Sequence, residues 1–236
     1  DKCYENREWI WGYRENDPMG GHDPYSASKG CAELVFGAYL KSFFSPKALK
    51  GRSIGAASVR AGNVVGGGDW GKDRLIPDCI RALSDGRAIE IRNPRAVRPW
   101  QHVLEPLGGY LALGAALLRD PEEYSGAWNF GPDDASHLTV AEMADRLIKY
   151  WGGGSWTDLS DPHALHEAML LKLNCDKAHA RLHWHGVFSI DECLQMTASW
   201  YKRFYTEGQA KDMYPLCVEQ IRNYESRTKG KEVEER

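Results

Sequence analysis

Tyr25 and Lys29 are the residues whose types and spacing point most directly to chemistry, in the segment Tyr25-Ser26-Ala27-Ser28-Lys29. Side chains four residues apart lie one above the other on the same face of an α-helix. An ammonium group near a phenol favours the phenolate and lowers the phenol pKa from about 10. We therefore expect Tyr25 to serve as a base near neutral pH, with small neighbouring residues that leave room for a bound cofactor. The alternative is two surface side chains that share this spacing by chance.

A GxGxxG pattern lies between a predicted strand and a predicted helix, at Gly66, Gly68 and Gly71. Glu90 follows about 20 residues later, which is also typical of dinucleotide-binding turns. Two features argue against a cofactor site at this position. Asp69 would place a carboxylate where a pyrophosphate should sit, and Pro77 interrupts the region where the helix should be established. Because a lone GxGxxG is a weak signal, we do not assign a cofactor to this loop.

The tyrosine and lysine fall at the start of the clearest predicted helix, residues 23–44. Asp23 is a suitable N-cap, and Pro24 occupies the first helical position, where its missing N–H costs nothing. The later part of the helix contains only two charged side chains, Glu33 and Lys41. A helix this apolar is covered on more than one side, so we expect a sheet on one face and a partner helix on the other.

The rest of the chain alternates between predicted strands and helices. We predict strands at residues 53–60, 88–92, 127–131 and 156–159. We predict helices at residues 75–84 and 107–118, from Thr139 to the glycines at 152–154, in a short segment capped by Asp176, and from Ser189 to about Tyr205. The helices that begin at Thr139 and Ser189 each have a glutamate three residues after that first residue, and this spacing is typical of a capping box. Residues 62–71 are predicted to form a loop.

This alternation favours an α/β architecture. A doubly wound sheet usually begins with a strand, a glycine-rich turn and a helix, and the first 20 residues contain no such strand, so the chain looks as if it starts within a fold. From residue 209 the chain is polar, and we expect residues 229–236 to be a disordered tail.

Composition excludes several classes of protein. The 236 residues carry 30 Lys+Arg and 33 Asp+Glu, for a net charge of −3, and 42% of them are hydrophobic. These values indicate a soluble globular chain with a substantial core. They argue against a protein that binds nucleic acid or anionic membranes through bulk charge. No apolar run approaches the roughly 18 residues needed to span a bilayer.

Cysteine and histidine spacings do not indicate a metal site. The six cysteines form no CxxC pair, so we expect reduced thiols and a cytoplasmic protein. His163 and His166 are three residues apart, and His183 and His185 flank a tryptophan. Zinc requires three or four converging ligands of recognisable spacing, and no cysteine joins these histidines, so no metal is expected.

Several stretches resemble the extended short-chain dehydrogenase/reductase family and, within it, the CDP-glucose 4,6-dehydratases. They are DKCYEN at 1–6, EWIWGYRE at 8–15, PYSASKGCAE at 24–33, RAGNVVGGGDW at 60–70, RLIPD at 74–78, RPWQHVL at 98–104 and WNFGP at 128–132. The tyrosine–lysine pair specifies only the superfamily, whereas the stretches at 1–4 and 98–102 are much narrower. The likeness runs from residue 1 to about residue 205.

The resemblance implies a fold and a domain organisation. We expect a partial Rossmann-like sheet that lacks its N-terminal half, with a smaller mixed α/β substrate-binding domain. Residues 1–65 would be the C-terminal part of the dinucleotide-binding domain, and later segments such as 88–118 would return to it. Residues 66–206 would be mostly substrate-binding, and residues 207–236 a polar tail. The family's glycine-rich turn and the catalytic Ser or Thr that would precede Asp1 are not in this sequence.

The resemblance also implies catalytic roles. Tyr25 would remove the proton of the sugar 4-hydroxyl, and Lys29 would lower the Tyr25 pKa and hold the nicotinamide ribose of NAD. Asp1 and Lys2 would take and give the protons needed to remove water across C5–C6. Lys2 is distinctive, because a related dehydratase of thymidine-linked sugars has Asp-Glu at this place. Two solvated residues are the alternative for Asp1 and Lys2.

Substrate contacts follow from the same resemblance. Asn63, Arg74 and Arg98 would bind the nucleotide sugar, since guanidinium groups make bidentate contacts with phosphate. We expect Arg74 and Arg98 to lie in loops, and residues 62–71 to form a substrate-side loop. His166 would line the nucleotide pocket. Ordinary surface arginines remain the alternative.

The implied parent activity is removal of water from CDP-glucose to give CDP-4-dehydro-6-deoxyglucose, with NAD consumed and restored, in a homodimer formed through the helix at 24–44. Because the glycine-rich turn is missing, we expect the chain by itself to be inactive. The alternatives are an epimerase or decarboxylase of the same superfamily, or a non-catalytic fragment that binds a nucleotide sugar or a partner chain.

Overall fold

Helices and strands alternate along the chain in the computed structural model, which describes residues 1–44, 50, 54–132, 137–161, 170–207 and 212–234. The helices are α1 Pro24–Phe43, α2 Leu75–Ser84, α3 Leu104–Arg119, α4 Pro121–Tyr124, α5 Val140–Trp151, α6 Asp176–Leu182, α7 Ile190–Glu207 and α8 Tyr214–Glu234. The strands are β1 Ala57–Ala61, β2 Asn63–Val65, β3 Ile89–Ile91, β4 Val97–His102, β5 Gly126–Phe130, β6 His137–Thr139 and β7 Trp156–Asp158. The predicted α/β class is confirmed.

The chain divides into two compact units. Unit 1 contains residues 1–62, 106–132 and 170–186. Its strands β1 and β5 are parallel, with Ala57 opposite Gly126 and Ala61 opposite Phe130. Aromatic and aliphatic side chains from all three segments form its core, among them Tyr4, Tyr13, Leu113, Trp128, Phe130 and Leu171.

Unit 2 contains residues 63–105, 133–169 and 187–236. Strand β4 pairs with β2 in parallel and with β6 in antiparallel orientation, while β3 pairs with β7 in parallel. Helices α2, α5 and α7 supply most of its apolar core, which includes Ile80, Leu83, Met143, Leu147, Leu194 and Trp200. Of the range 88–118, residues 88–105 lie in unit 2 and residues 106–118 in unit 1.

Capping residues fix most helix starts where the sequence predicts them. The Asp23 carboxylate accepts from the Ser26 N–H at 2.9 Å at the start of α1. Thr139 and Glu142 form the predicted capping box of α5, and Gly152 ends that helix with a φ of 94°. Helix α6 differs from the prediction: Cys175, not Asp176, is its N-cap, and no side chain caps it.

The predicted disordered tail at residues 229–236 is wrong for residues 229–234, where the backbone continues helix α8. The helix is held in unit 2 by tertiary contacts that a polar sequence does not reveal. Tyr224 is buried, and the Arg227 guanidinium lies 2.6 Å from Glu192 Oε1 on α7. Within the described ranges, no helix is long and apolar enough to cross a membrane.

The Glu192–Arg227 ion pair makes the stability of unit 2 depend on pH. The bond from Arg227 lowers the pKa of the Glu192 carboxyl to about 2. A carboxyl whose pKa is depressed in the folded state stabilises above its unfolded pKa and loses that contribution as the pH falls through the folded value. Glu192→Gln keeps a side chain that suits a capping box but removes this charge.

We expect Glu192→Gln to lower the free energy of unfolding by about 0.5–1 kcal/mol at pH 7, since solvent screens a half-exposed pair. The difference should vanish as the pH falls from about 4.5 towards 2, measured by chemical denaturation. Glu225→Gln, at an exposed position of α8, is the control. A loss that persists at pH 2 would contradict the assignment.

Candidate functional site

The structure brings Tyr25 and Lys29 together in the first turns of α1. The Lys29 Nζ atom lies 5.3 Å from the centroid of the Tyr25 ring, a cation–π distance. Both side chains are exposed, with 61% of the Tyr25 surface open to solvent. A ligand can therefore reach the phenol and the ammonium from the same side of the helix.

Lys2 acts on the same end of α1. Hydrogen bonds from Ser26 hold the pKa of the Asp23 carboxyl below its usual value, and the positive charge of Lys2 contributes in the same direction. Asp23 is two residues before Tyr25. The predicted proton donor or acceptor Lys2 thus belongs to the electrostatic environment at the start of the helix.

The predicted catalytic residue Asp1 is partly enclosed beside strand β1. Its Oδ2 atom is enclosed and has no hydrogen-bond partner among the residues that the structure describes. The backbone nitrogen of Asp1 donates to the Ala61 carbonyl at 3.0 Å, which fixes this segment beside β1. An enclosed carboxylate oxygen without a partner carries a desolvation cost that a proton or a hydrogen-bond donor would relieve.

Close packing holds residues 1–4 against α1. The Cys3 carbonyl accepts from the Gly20 N–H at 3.0 Å. A Cβ atom on Gly30 would come within 3.3 Å of both of these atoms, so the bare backbone of Gly30 permits the approach. The small residue one position after Lys29 therefore lets the backbone at Cys3, one residue after Lys2, lie against α1.

Arg60 is the residue of this region to which we assign no role from the sequence. Its guanidinium is buried and donates to Glu33 Oε2 at 2.7 Å and to the Tyr4 hydroxyl at 2.6 Å. Burial alone would raise the pKa of the Glu33 carboxyl, but hydrogen bonds from Arg60 and Ser58 outweigh it and lower the pKa. Burial raises the pKa of Tyr4, so its phenol stays protonated.

In unit 2, Arg98 and Asn63 lie in strands rather than in the predicted loops. Asn63 begins β2 and pairs with Trp100 of β4, the strand that contains Arg98. Arg98 is only 6% exposed, and its Nη1 donates to the Val97 carbonyl at 2.9 Å. The prediction fails because β2 has only three residues and Arg98 pairs with Leu138 of β6, and neither long-range pairing is visible in the local sequence.

Arg74 lies in a loop as predicted, as the residue that precedes α2. Its Nη1 contacts both carboxylate oxygens of Asp69, at 3.1 and 3.0 Å. Two thirds of the Arg74 side chain is exposed. His166 lies outside the described residues.

The glycines of the GxGxxG pattern serve packing and turn geometry. A Cβ on Gly66 would lie 2.8 Å from Val103, and Gly68 has a φ of 84°, which favours glycine. The Gly71 N–H already donates to Asp69 Oδ1 at 2.9 Å. Asp69 thus binds a backbone amide that a phosphate would need at this loop.

His102, the last residue of β4, is neutral at pH 7. Burial lowers its pKa to about 4, and the Leu104 N–H donates to its Nδ1 atom at 3.3 Å. A neutral imidazole that accepts at Nδ1 carries its proton on Nε2. The positive charge of β4 at neutral pH therefore comes from Arg98 and not from His102.

Comparison with curated proteins finds a relative over almost the whole chain. The chain is 48% identical to the CDP-glucose 4,6-dehydratase of Salmonella typhimurium strain LT2 over 229 residues. This match covers 97% of the chain and 63% of the relative. No protein-family model matches the sequence.

Solved structures with this fold have lower sequence identity to this chain than the Salmonella relative has. A dTDP-glucose 4,6-dehydratase from Bacillus anthracis in complex with NAD matches with a TM-score of 0.68 and 19% identity, over 91% of this chain and 61% of that one. The dTDP-glucose 4,6-dehydratase DesIV from Streptomyces venezuelae, with NAD and TYD bound, gives 0.70 and 20% over 91% and 59%. A UDP-glucose 4-epimerase from Thermotoga maritima with UDP-glucose gives 0.67 and 17% over 83% and 58%.

The dehydratases and the epimerase share the α/β architecture with parallel strands found in this chain. The sequence match and the fold confirm the resemblance stated from the motifs. The chain has the extended short-chain dehydrogenase/reductase fold and is similar, over nearly all of its length, to about two thirds of a CDP-glucose 4,6-dehydratase.

Proposed function

We propose that this chain provides the catalytic and substrate-binding part of an NAD-dependent CDP-glucose 4,6-dehydratase, a hydro-lyase of deoxysugar biosynthesis. The observation that carries the proposal is the 48% identity to such an enzyme over 97% of the chain. The exposed Tyr25–Lys29 pair with Lys2 at the same helix end gives this similarity a chemical basis.

Oxidation at C4 of the sugar is assigned to Tyr25 and Lys29. The Tyr25 oxygen takes the proton of the 4-hydroxyl, for which its exposed position leaves space. Lys29 presents three N–H donors on the same helix face, which suit the hydroxyls of a ribose and so fit the nicotinamide end of NAD. Bound NAD would supply the hydride acceptor for C4 and the hydride for C6.

Dehydration is assigned to Asp1 and Lys2. The new 4-keto group acidifies the C5–H bond, so a base can take that proton while an acid gives a proton to the leaving C6 hydroxyl, which departs as water. The enclosed Oδ2 of Asp1 and the ammonium of Lys2 supply one group of each kind. A proton is finally returned to C5, and the sum of all steps is the loss of one water.

Binding of the CDP moiety is assigned to Asn63, Arg74, Arg98 and His166. A diphosphate needs guanidinium donors, and Arg74 presents an exposed guanidinium at a helix start. The salt bridge to Asp69 holds that group until an anion competes for it. Arg98 and Asn63 belong to adjacent strands, which gives them fixed positions.

A homodimer through α1 completes the proposal. Large apolar side chains at 34, 35, 39 and 43 are each more than half exposed on this helix. Val35, Tyr39 and Phe43 recur every four residues, so they share one face. A second copy of the helix would bury this face. The six cysteines are free thiols, which supports a reducing compartment such as the cytoplasm.

An epimerase remains the second candidate, because a UDP-glucose 4-epimerase has the same fold with a similar TM-score. An epimerase shares the tyrosine–lysine pair but does not need Asp1 and Lys2 to expel water. The product from CDP-glucose discriminates between the two: a 4-keto-6-deoxy sugar for a dehydratase and a 4-epimer for an epimerase.

The catalytic assignment predicts the behaviour of a fusion of this chain to the part of the Salmonella relative that it does not cover. We expect the fusion to dehydrate CDP-glucose and the 236-residue chain alone to be inactive. Tyr25→Phe should reduce turnover at least about 100-fold, because the proton acceptor is lost while the ring remains. Lys29→Met should lower both the rate and the affinity for NAD.

Product formation is followed by mass spectrometry, and NAD binding by calorimetry. Tyr214→Phe makes the same change at another exposed tyrosine and is the control. Parent turnover in the Tyr25→Phe fusion would show that the assignment is wrong.

The dimer proposal predicts that Val35→Asp shifts the chain from dimer to monomer in sedimentation equilibrium. A charge in an apolar interface should weaken association at least about tenfold, because burying a valine-sized side chain is worth roughly 1.5 kcal/mol or more. Ile221→Asp, at an exposed apolar position of α8, is the matched control. Equal association of both variants, or a monomeric parent at micromolar concentration, would contradict the proposal.

A further inference from the structure

A buried charged network in unit 1 takes no direct part in the proposed mechanism. Its centre is Arg60, which is 6% exposed and belongs to β1. The guanidinium donates to three groups: Glu33 Oε2 at 2.7 Å, the Tyr4 hydroxyl at 2.6 Å and the Glu15 carbonyl at 3.0 Å. These three partners are 27, 56 and 45 residues away in sequence.

The first partner, Glu33, belongs to α1, the helix that contains Tyr25 and Lys29. Glu33 is four residues after Lys29 on α1, on the same side of the helix. The Ser58 hydroxyl also donates to Glu33 Oε2, at 2.8 Å. The rotation and height of α1 relative to β1 are therefore fixed by a carboxylate that accepts two bonds from that strand.

The second partner, Tyr4, belongs to the segment that contains Asp1 and Lys2. Tyr4 is two residues after Lys2, and its hydroxyl accepts from Arg60 while donating to Asn129 Oδ1 at 2.7 Å. Asn129 is itself buried and donates to the Tyr13 carbonyl at 2.8 Å. One guanidinium thus joins the backbone segment of Asp1 and Lys2 to the helix of Tyr25 and Lys29.

We propose that Arg60 is a positioning residue that holds the Asp1–Lys2 pair in register with the Tyr25–Lys29 pair, so that both pairs act on one bound sugar. This inference rests on the proposed function, in which oxidation at C4 and removal of water across C5–C6 follow each other without release. The two pairs lie on different chain segments, and Arg60 hydrogen-bonds to both segments through Tyr4 and Glu33.

Stability alone is a weak reason for this arrangement. A buried ion pair is often no more stabilising than apolar side chains of the same volume. A planar guanidinium with directed N–H groups instead fixes the orientation of several partners at once, which an ammonium cannot reproduce. The Arg60 guanidinium donates to Glu33, Tyr4 and the Glu15 carbonyl, so any effect on catalysis acts through the residues that it holds.

The test compares Tyr4→Phe and Arg60→Lys with Arg181→Lys. Tyr4→Phe is the milder change, because it keeps the ring stacked on Tyr13 at 5.3 Å and removes only the hydroxyl. Arg181→Lys alters an exposed arginine in the same unit, which bonds Glu123 at 2.7 Å, and is the matched control. Thermal melting shows which variants fold.

The first measurement uses the 236-residue chain itself and needs no cofactor. Hydrogen exchange followed by mass spectrometry should show faster exchange in residues 1–6 for Tyr4→Phe, with residues 24–30 unchanged. Arg60→Lys should accelerate exchange in both segments. Exchange at the parent rate in residues 1–6 of both variants would overturn the proposal, whether or not the protein is a dehydratase.

The second measurement uses the fusion and rapid-quench mass spectrometry of the sugar nucleotide. In Tyr4→Phe, dehydration should slow roughly 10- to 100-fold, as for a small misplacement of catalytic groups, while oxidation at C4 and the KM for CDP-glucose stay near parent values. A C4-oxidised sugar that keeps its C6 hydroxyl should then accumulate.

An equal loss in both steps, as from general destabilisation, or no change beyond that of Arg181→Lys would overturn the proposal. Absence of turnover in the parent fusion would instead contradict the proposed function, and the exchange measurement would still decide the role of Arg60.

Discussion

The candidate site depends on how closely residues 1–4 approach helix α1. The contact is made between backbones, since Gly30 presents no side chain to the Cys3 carbonyl and the Gly20 N–H. A methyl group at residue 30 would have to fit within 3.3 Å of both atoms. Close contacts of this kind are sensitive to small shifts because packed protein interiors have few gaps that can absorb them.

The two units differ in how charged and apolar side chains are arranged within each of them. In unit 2 the helices α2, α5 and α7 enclose an aliphatic and aromatic core, and its ion pairs lie towards solvent. In unit 1 a buried guanidinium and carboxylate lie next to the aromatic core. Buried charges are expensive unless they are paired, and hydrogen bonds are directional, so the three bonds from the Arg60 Nη atoms constrain its partners more tightly than apolar packing would.

Local features of the site and fold can be predicted from the sequence, because short-range rules control them. The cap at Asp23, the capping box at Thr139 and the spacing of Tyr25 and Lys29 each involve residues within four positions of each other. Comparable rules do not exist for contacts between distant segments.

Three misses show this limit. Strand β2 exists because its three residues pair with β4, more than 30 positions away, and Arg98 lies in a strand because it pairs with Leu138 of β6, 40 positions away. Helix α8 has a polar sequence and is held by Tyr224 and by the Arg227–Glu192 pair. The role of Arg60 depends on partners that the chain brings together only when β1, α1 and residues 1–22 have folded against one another.

Helix α1 contacts the rest of unit 1 through small and charged residues, among others. Over its described length only Ser26 and Gly30 are buried, and Glu33 makes the ion pair with β1. The large side chains of Leu34, Val35, Tyr39 and Phe43 remain outside, where they contribute little to the folding of this unit. A contiguous exposed apolar face on a helix indicates a surface that meets another protein surface. The same helix therefore separates two kinds of residue: Ser26, Gly30 and Glu33 contact the rest of unit 1, and the large apolar residues present a surface that suits association.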